Sequence, residues 1–224
     1  MIKVLHTGDI HLDSPFSGLS PDRAELRRAE LRSAFTSMMT YARTGDIDIV
    51  LVTGDLFESR YITRETAELV TGEFSRVGCP VIVSPGNHDP YTHGSIWEKI
   101  KMPDNVKVFS SDVLQCFSFP ELNTDVYGYA FVSGEMTSVP LASASVADRG
   151  RINLICAHAD MTSPLSHSAP LSKDVLRSAR TMRRSGIYTM RIITAARREA
   201  AAMRTADALS GAPSTSAATR ARSS

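Results

Sequence analysis

Cysteine is scarce in this 224-residue sequence, which contains Cys79, Cys116 and Cys156 and no others. They are odd in number and widely spaced, and no Cys-x-x-Cys pair occurs, so neither a disulfide framework nor a zinc knuckle is predicted. We expect buried free thiols in a reducing cytoplasm. No apolar run approaches the length of a membrane span, and the first residues suit a strand better than a signal peptide. No membrane partner is therefore expected.

Residues 179–224 lack most of the residue types that build a folded core. They hold twelve Ala and nine Arg, but one Leu and no Val, Phe or Trp. We expect a folded domain over residues 1–178, followed by a disordered or out-of-frame tail. The formal net charge of +1 accordingly divides into −6 for residues 1–178 and +7 for the tail. An Arg-rich arm can bind phosphates, but a shifted reading frame also explains this composition and is the favoured interpretation.

Residues 1–178 alternate between apolar β-rich runs and segments whose apolar residues recur at helical spacing. The predicted strands cover residues 2–7, 47–52, 80–83, 106–109, 113–117, 126–131 and 152–157, and the predicted helices cover 21–44, 63–77 and 95–101. Alternation of this kind indicates parallel strands that are joined by crossover helices, which predicts an α/β fold.

Polar clusters follow the carboxyl ends of four of the predicted strands. In chain order they are Asp9-x-His11, Gly54-Asp55, Gly86-Asn87-His88-Asp89 and His158. Ligands of open α/β sheets bind outside this edge, so the four clusters are expected to meet in one site. Each cluster alone is compatible with turn chemistry or a buried histidine. Their joint occurrence, each at the end of an apolar run, predicts a functional site.

The residue types in these clusters suit divalent cations. Carboxylates such as Asp9 and Asp55 provide oxygen ligands, and Asn87 offers an amide oxygen. Imidazoles such as His11 suit manganese, iron and zinc. A carboxylate can also bridge two ions, while His88 could donate a proton to a leaving oxygen. The pattern therefore predicts a metal-dependent hydrolase.

The order Asp-x-His, Gly-Asp, Gly-Asn-His-Asp, His resembles the calcineurin-like metallophosphoesterase family. Residues 2–16 and 157–165 are similar to its bacterial DNA repair exonuclease branch, of the SbcD and YhaO type. The resemblance covers residues 1–178. It implies a four-layer α/β/β/α sandwich, incomplete at its C-terminal side. It also implies two-metal hydrolysis of a phosphodiester, with Mn²⁺ as cofactor, DNA ends as substrate and a coiled-coil ATPase as partner.

The resemblance also implies a role for each site residue. Asp9, His11 and Asp55 would hold one ion. Asp55, Asn87 and His158 would hold the second. His88 would be the catalytic histidine, paired with Asp89.

One part of the family pattern is missing from this sequence. The family ends its site with Gly-His-x-His, one histidine for each ion, whereas no histidine follows His167 here. We interpret His167 as a solvated loop residue and hypothesise a frameshift near Ala179, because residues 184–190 can encode Leu-Gly-His-Ile-His-Asn in the neighbouring frame. The predicted function is thus a DNA exonuclease with an incomplete metal site. The alternatives are a phosphatase of nucleotides or phosphoproteins, and a catalytically dead truncated domain.

Overall fold

The computed structural model describes residues 2–143, 146–161 and 166–172, and these residues form seven strands and three α-helices. The strands are β1 (Val4–Thr7), β2 (Ile49–Thr53), β3 (Val81–Ser84), β4 (Val106–Val108), β5 (Gln115–Phe119), β6 (Thr124–Gly128) and β7 (Ile152–Cys156). The helices are α1 (Pro21–Thr44), α2 (Arg64–Val77) and α3 (Ile96–Lys99). Every predicted element is present, with ends that differ by at most three residues. The predicted boundary after residue 178 and the tail lie outside the described residues.

The first sheet is parallel throughout, with the strand order β1-β2-β3-β4. Every residue of β2 is buried. Val50 and Val52 pack against the helices, while Ile49 and Leu51 point to the other face of the sheet. Successive side chains of a strand alternate between faces, so an unbroken apolar run is what a strand covered on both sides requires.

Helices α1 and α2 cover one face of this sheet. The rings of Phe35 from α1 and Phe74 from α2 meet edge to face, with their centroids 5.6 Å apart. Helix α2 begins after Thr63, whose hydroxyl accepts a hydrogen bond from the N–H of Thr66. Such a cap satisfies one of the free N–H groups of the first turn. The two helices thus hold the first sheet from one side.

The second sheet covers the opposite face. It has the order β5-β6-β7, with β5 antiparallel and β7 parallel to β6. Its inner residues Val126, Leu154 and Cys156 form one apolar cluster with Ile49 and Leu51 of the first sheet. The structure therefore confirms the α/β class with two stacked sheets. Helices for the fourth layer of the predicted sandwich are not among the described residues.

The three cysteines are free thiols, as expected, but they are not all buried. Cys156 is buried between the sheets, whereas Cys116 is exposed on β5. The prediction was wrong there because alternate residues of β5 face solvent. In the described part of the chain, no helix is long and apolar enough to cross a membrane.

Candidate metal centre

The polar clusters converge at the carboxyl edge of the first sheet, where the loops after β1 and β2 continue side by side. The N–H of Asp9 donates to the carbonyl of Gly54 at 3.0 Å, and the N–H of His11 donates to the carbonyl of Asp55 at 2.9 Å. Asp9, His11 and Asp55 all have φ near +50°. Residues other than glycine rarely adopt this conformation, although Asp and His tolerate it better than most. Backbone strain of this kind concentrates at functional sites.

Asp55 lies at the centre of the cluster, with 3% of its surface exposed. Its Oδ1 accepts a hydrogen bond from the backbone N–H of His88 at 2.9 Å. Its Oδ2 lies 3.3 Å from Nε2 of His158 and 3.7 Å from Nε2 of His11. The carboxylate of Asp55 therefore faces groups from all three of the other loops that carry predicted site residues.

The side chains form two groups that share Asp55. One group is Asp9, Asp55 and His158, and the other is His11, Asp55 and His88; within each group the donor atoms all lie within 4.8 Å of one another. Carboxylate oxygens and imidazole nitrogens at this spacing fit Mn²⁺, Fe²⁺ or Zn²⁺. The grouping differs from the ligand sets that the family resemblance implies, since His11 lies with His88 rather than with Asp9.

Asn87 belongs to the same site through its side-chain oxygen. This oxygen lies 3.2 Å from Nε2 of His158, the nitrogen that also faces Asp55. His158 is itself held in place, because its carbonyl accepts a hydrogen bond from the hydroxyl of the fully buried Tyr129 at 2.6 Å. All of the predicted ligands, Asp9, His11, Asp55, Asn87 and His158, thus lie together.

The charges of the site are strongly coupled. Burial opposes the charged form of His158, but the hydrogen bond and charge of Asp55 outweigh it and raise the pKa of His158 to about 9. Burial likewise opposes ionisation of Asp55, yet the interaction with His158 lowers the pKa of that carboxyl. Burial raises the pKa of Asp9. Only a neutral imidazole binds metal, so metal binding would release the proton of His158.

Asp89 is fully buried and binds backbone rather than the ring of His88. Its carboxylate accepts the N–H groups of Gly86, Asp55, Leu56 and Phe57 at 2.7 to 3.2 Å. Burial, followed by repulsion from Asp55, raises its pKa to about 8. Asp89 thus joins the loop after β3 to the loop after β2.

Glu58 is a site residue that the sequence analysis missed. Its Oε1 lies 2.7 Å from Nδ1 of His88 and 2.9 Å from Nδ1 of His11. This contact corrects the predicted pairing of His88 with Asp89, whereas the catalytic assignment of Asp89 stays a prediction. The available signal was an acidic residue three positions after Asp55 in the same loop.

His167 lies away from this cluster. Its ring is two-thirds exposed, and its Nδ1 pairs with the exposed Glu135 at 3.1 Å. It is therefore a surface residue, as the sequence predicted, and does not replace either histidine of the absent Gly-His-x-His motif.

Gly54 keeps the space for His158 open. Its φ is +80°, and a Cβ added there would overlap the imidazole ring of His158. We expect Gly54→Ala to displace that ring and to weaken Mn²⁺ binding by about 10- to 100-fold, as loss of a supporting contact typically does. Isothermal titration calorimetry measures the change. The matched control is Gly18→Ala, because nothing lies within 4 Å of that position. Equal affinities of the two variants would contradict the prediction.

Two stacked sheets carry two carboxylate–imidazole groups at the carboxyl ends of the parallel strands, an arrangement that suits a metal-dependent enzyme. The family model "Calcineurin-like phosphoesterase" matches residues 2–183. The chain belongs to this family.

Three curated relatives are similar in sequence to parts of this chain. The chain is 32% identical over 137 residues to the uncharacterized metallophosphoesterase YhaO of Bacillus subtilis, an alignment that covers 57% of this chain and 33% of YhaO. It is 33% identical over 93 residues to the DNA double-strand break repair protein Mre11 of Aeropyrum pernix, covering 40% and 21%. It is 31% identical over 102 residues to Mre11 of Haloferax volcanii, covering 43% and 21%. The chain spans a third or less of the length of these relatives.

Proposed function

We propose that this chain is a metal-dependent phosphodiesterase that hydrolyses DNA ends with two Mn²⁺ ions. The observation that supports this most is the position of Asp55, whose carboxylate belongs to both groups of potential ligands. A shared carboxylate suits two neighbouring cations, because it neutralises charge on both at once. A single isolated metal site gives no reason for a second carboxylate–imidazole group that shares Asp55.

In this proposal each side chain has a defined task. Asp9, Asp55, Asn87, His11 and His158 hold the cations, which when bound would activate a water and stabilise the in-line transition state. Hydrolysis forms a bond from the water oxygen to phosphorus, with loss of one proton from the water, and breaks the bond to the leaving oxygen, which takes up a proton. His88, with 43% of its side chain exposed, lies where it can meet substrate, and its imidazolium form would supply that proton from Nε2. Asp89 supports the loops that carry these groups.

The DNA substrate is supported by the two Mre11 relatives, which are DNA double-strand break repair proteins. The proposed coiled-coil ATPase partner rests on the family resemblance. Three free cysteines agree with a reducing cytoplasm. A phosphatase acting on nucleotides or phosphoproteins would use the same metal groups, so substrate preference has to be measured directly.

The test compares three substrates with the purified chain in Mn²⁺. We expect cleavage of end-labelled linear duplex DNA and of bis(p-nitrophenyl) phosphate, slower hydrolysis of the monoester p-nitrophenyl phosphate, and loss of all activity in EDTA. His88→Asn should lower the rate by about 10²- to 10⁴-fold, the usual contribution of a general acid. The control is His93→Asn, whose fully exposed ring pairs with Glu98. Preferential hydrolysis of the monoester would replace the nuclease proposal with the phosphatase.

A second candidate is a domain that binds metal without hydrolysis. The specific observation in its favour is the absence of any histidine after His167, which leaves the Gly-His-x-His pattern unfilled. A second chain, translated in the neighbouring frame from residue 180 onward, decides between the two. Activity that depends entirely on that restored segment would favour the metal-binding candidate for the present chain, whereas comparable activity of both chains would favour the phosphodiesterase.

A further inference from the structure

One carboxylate oxygen contacts two histidines of the candidate metal centre. Oε1 of Glu58 lies 2.9 Å from Nδ1 of His11 and 2.7 Å from Nδ1 of His88. The two rings meet edge to face, with centroids 4.7 Å apart and planes at 85°. They come from different loops, so Glu58 is the side chain that holds them against each other.

The chemistry of the contact fixes the tautomer of both rings. An ionised carboxylate can only accept hydrogen bonds, so beside ionised Glu58 each Nδ1 carries the hydrogen. The lone pair of each neutral imidazole is then on Nε2. In His11 this nitrogen lies 3.7 Å from Oδ2 of Asp55, which is the orientation a metal ligand needs. An imidazole whose second nitrogen is held by a carboxylate is the usual arrangement behind a metal-binding histidine.

The backbone around Glu58 is hydrogen-bonded to the loops of both histidines. The N–H of Glu58 donates to the carbonyl of Leu12 at 2.9 Å, next to His11. The N–H of Ser59 donates to the carbonyl of His88 at 3.3 Å. The carboxylate is only 17% exposed. Glu58 therefore lies where the three loops meet, with its own N–H bonded to one of the other loops and the N–H of Ser59 bonded to the second.

We infer that Glu58 is a positioning residue that couples His11 to His88, because the same carboxylate sets the orientation of both rings. In the metal-free protein, this coupling means that Glu58 sets the tautomer and the orientation of both rings. For hydrolysis it rests on the proposed function: cation binding by His11 and Asp55 would then orient, through Glu58, the ring of His88 that faces substrate.

The test uses the full chain with Glu58→Ala, Glu58→Gln and the control Glu68→Gln, an exposed glutamate that pairs with Arg64. Imidazole ¹⁵N NMR of the metal-free proteins reads the tautomers. We expect the Nδ1–H form for both His11 and His88 in the wild type. Both signals should change together in Glu58→Ala and partly in Glu58→Gln, whose amide oxygen still accepts. Calorimetry with Mn²⁺ should show affinity about 10- to 100-fold lower for Glu58→Ala, and no change for the control.

Each outcome bears on the inference. Unchanged tautomers, or a change confined to one of the two rings, would overturn it. If Glu58→Ala does not fold, Glu58→Gln decides, because it keeps the size of the side chain. The NMR result does not require activity: coupled tautomers in a protein that hydrolyses nothing would refute the proposed function and leave the coupling intact.

Discussion

The Asp55→Asn variant is expected to bind neither metal ion, whereas the Asp9→Asn variant should lose one. Asp55 belongs to both groups of potential ligands and Asp9 to one. The amide has no charge to offset two cations, and it presents N–H groups to His158 where the carboxylate accepts. The loss of affinity should exceed the roughly 10- to 100-fold cost of removing an outer partner of a ligand. Calorimetry with Mn²⁺ should give stoichiometries of two, one and none for wild type, Asp9→Asn and Asp55→Asn.

The fold should survive this change, because the amide oxygen can still accept the N–H of His88. A surface control, Asp104→Asn, should bind two ions with unchanged affinity, since this residue is exposed. Two ions bound by Asp55→Asn, or equal losses in the Asp55 and Asp9 variants, would show that the two groups do not share this carboxylate.

Asp55→Asn should also change how the stability of the metal-free protein depends on pH. The pKa of His158 is raised from its ordinary 6.5 to about 9, with Asp55 as the favourable partner. Folding therefore favours the protonated ring. The resulting stabilisation is fully present below pH 6.5 and is lost as pH rises through about 9. The difference in unfolding free energy between wild type and variant should shrink over that interval in urea titrations.

The positions of the ligands could be predicted from the sequence because two simple regularities determine them. Parallel strands such as β1 and β2 end at the same edge of a sheet, so residues that follow them must be close whatever the intervening sequence. The chain separation of Asp9 and Asp55 is therefore irrelevant to their distance in the fold. Apolar runs located the strands, and the strand ends located the site.

The partners of those ligands could not be predicted, because they depend on loop conformation rather than on strand order. Asp89 follows His88 in the chain, and adjacency suggested a pair. Asp89 is instead turned into the protein, where its carboxylate accepts N–H groups of the loop after β2. Glu58, which lies in that same loop, contacts the ring of His88. The path of the loop depends on the positive φ of Asp55, and this backbone conformation cannot be predicted from the presence of an aspartate in the sequence.

Asp89→Ala should be the most destabilising of the substitutions considered, because it removes the acceptor of four buried N–H groups. Each buried donor left without a partner costs about 1–3 kcal/mol, so the unfolding free energy should fall by on the order of 4 kcal/mol or more. A domain of this size has only about 5–15 kcal/mol in total. The unfolding free energy of Asp89→Asn should lie between those of wild type and Asp89→Ala, since the amide keeps one oxygen that can accept from the N–H groups.

The protein contains its own reporter for this loop. Trp97 is the single tryptophan, it is 5% exposed, and its indole N–H donates to the carbonyl of Asp89. Urea unfolding followed by tryptophan fluorescence should therefore give a lower midpoint for Asp89→Ala than for the surface variant Asp104→Asn, with a red-shifted emission before the main transition. A catalytic role for Asp89 without a structural one predicts the opposite result, in which hydrolysis is lost while the midpoint and the emission of Trp97 stay at their wild-type values. The four backbone contacts favour the structural role, since an oxygen that binds two N–H groups has little capacity left for substrate.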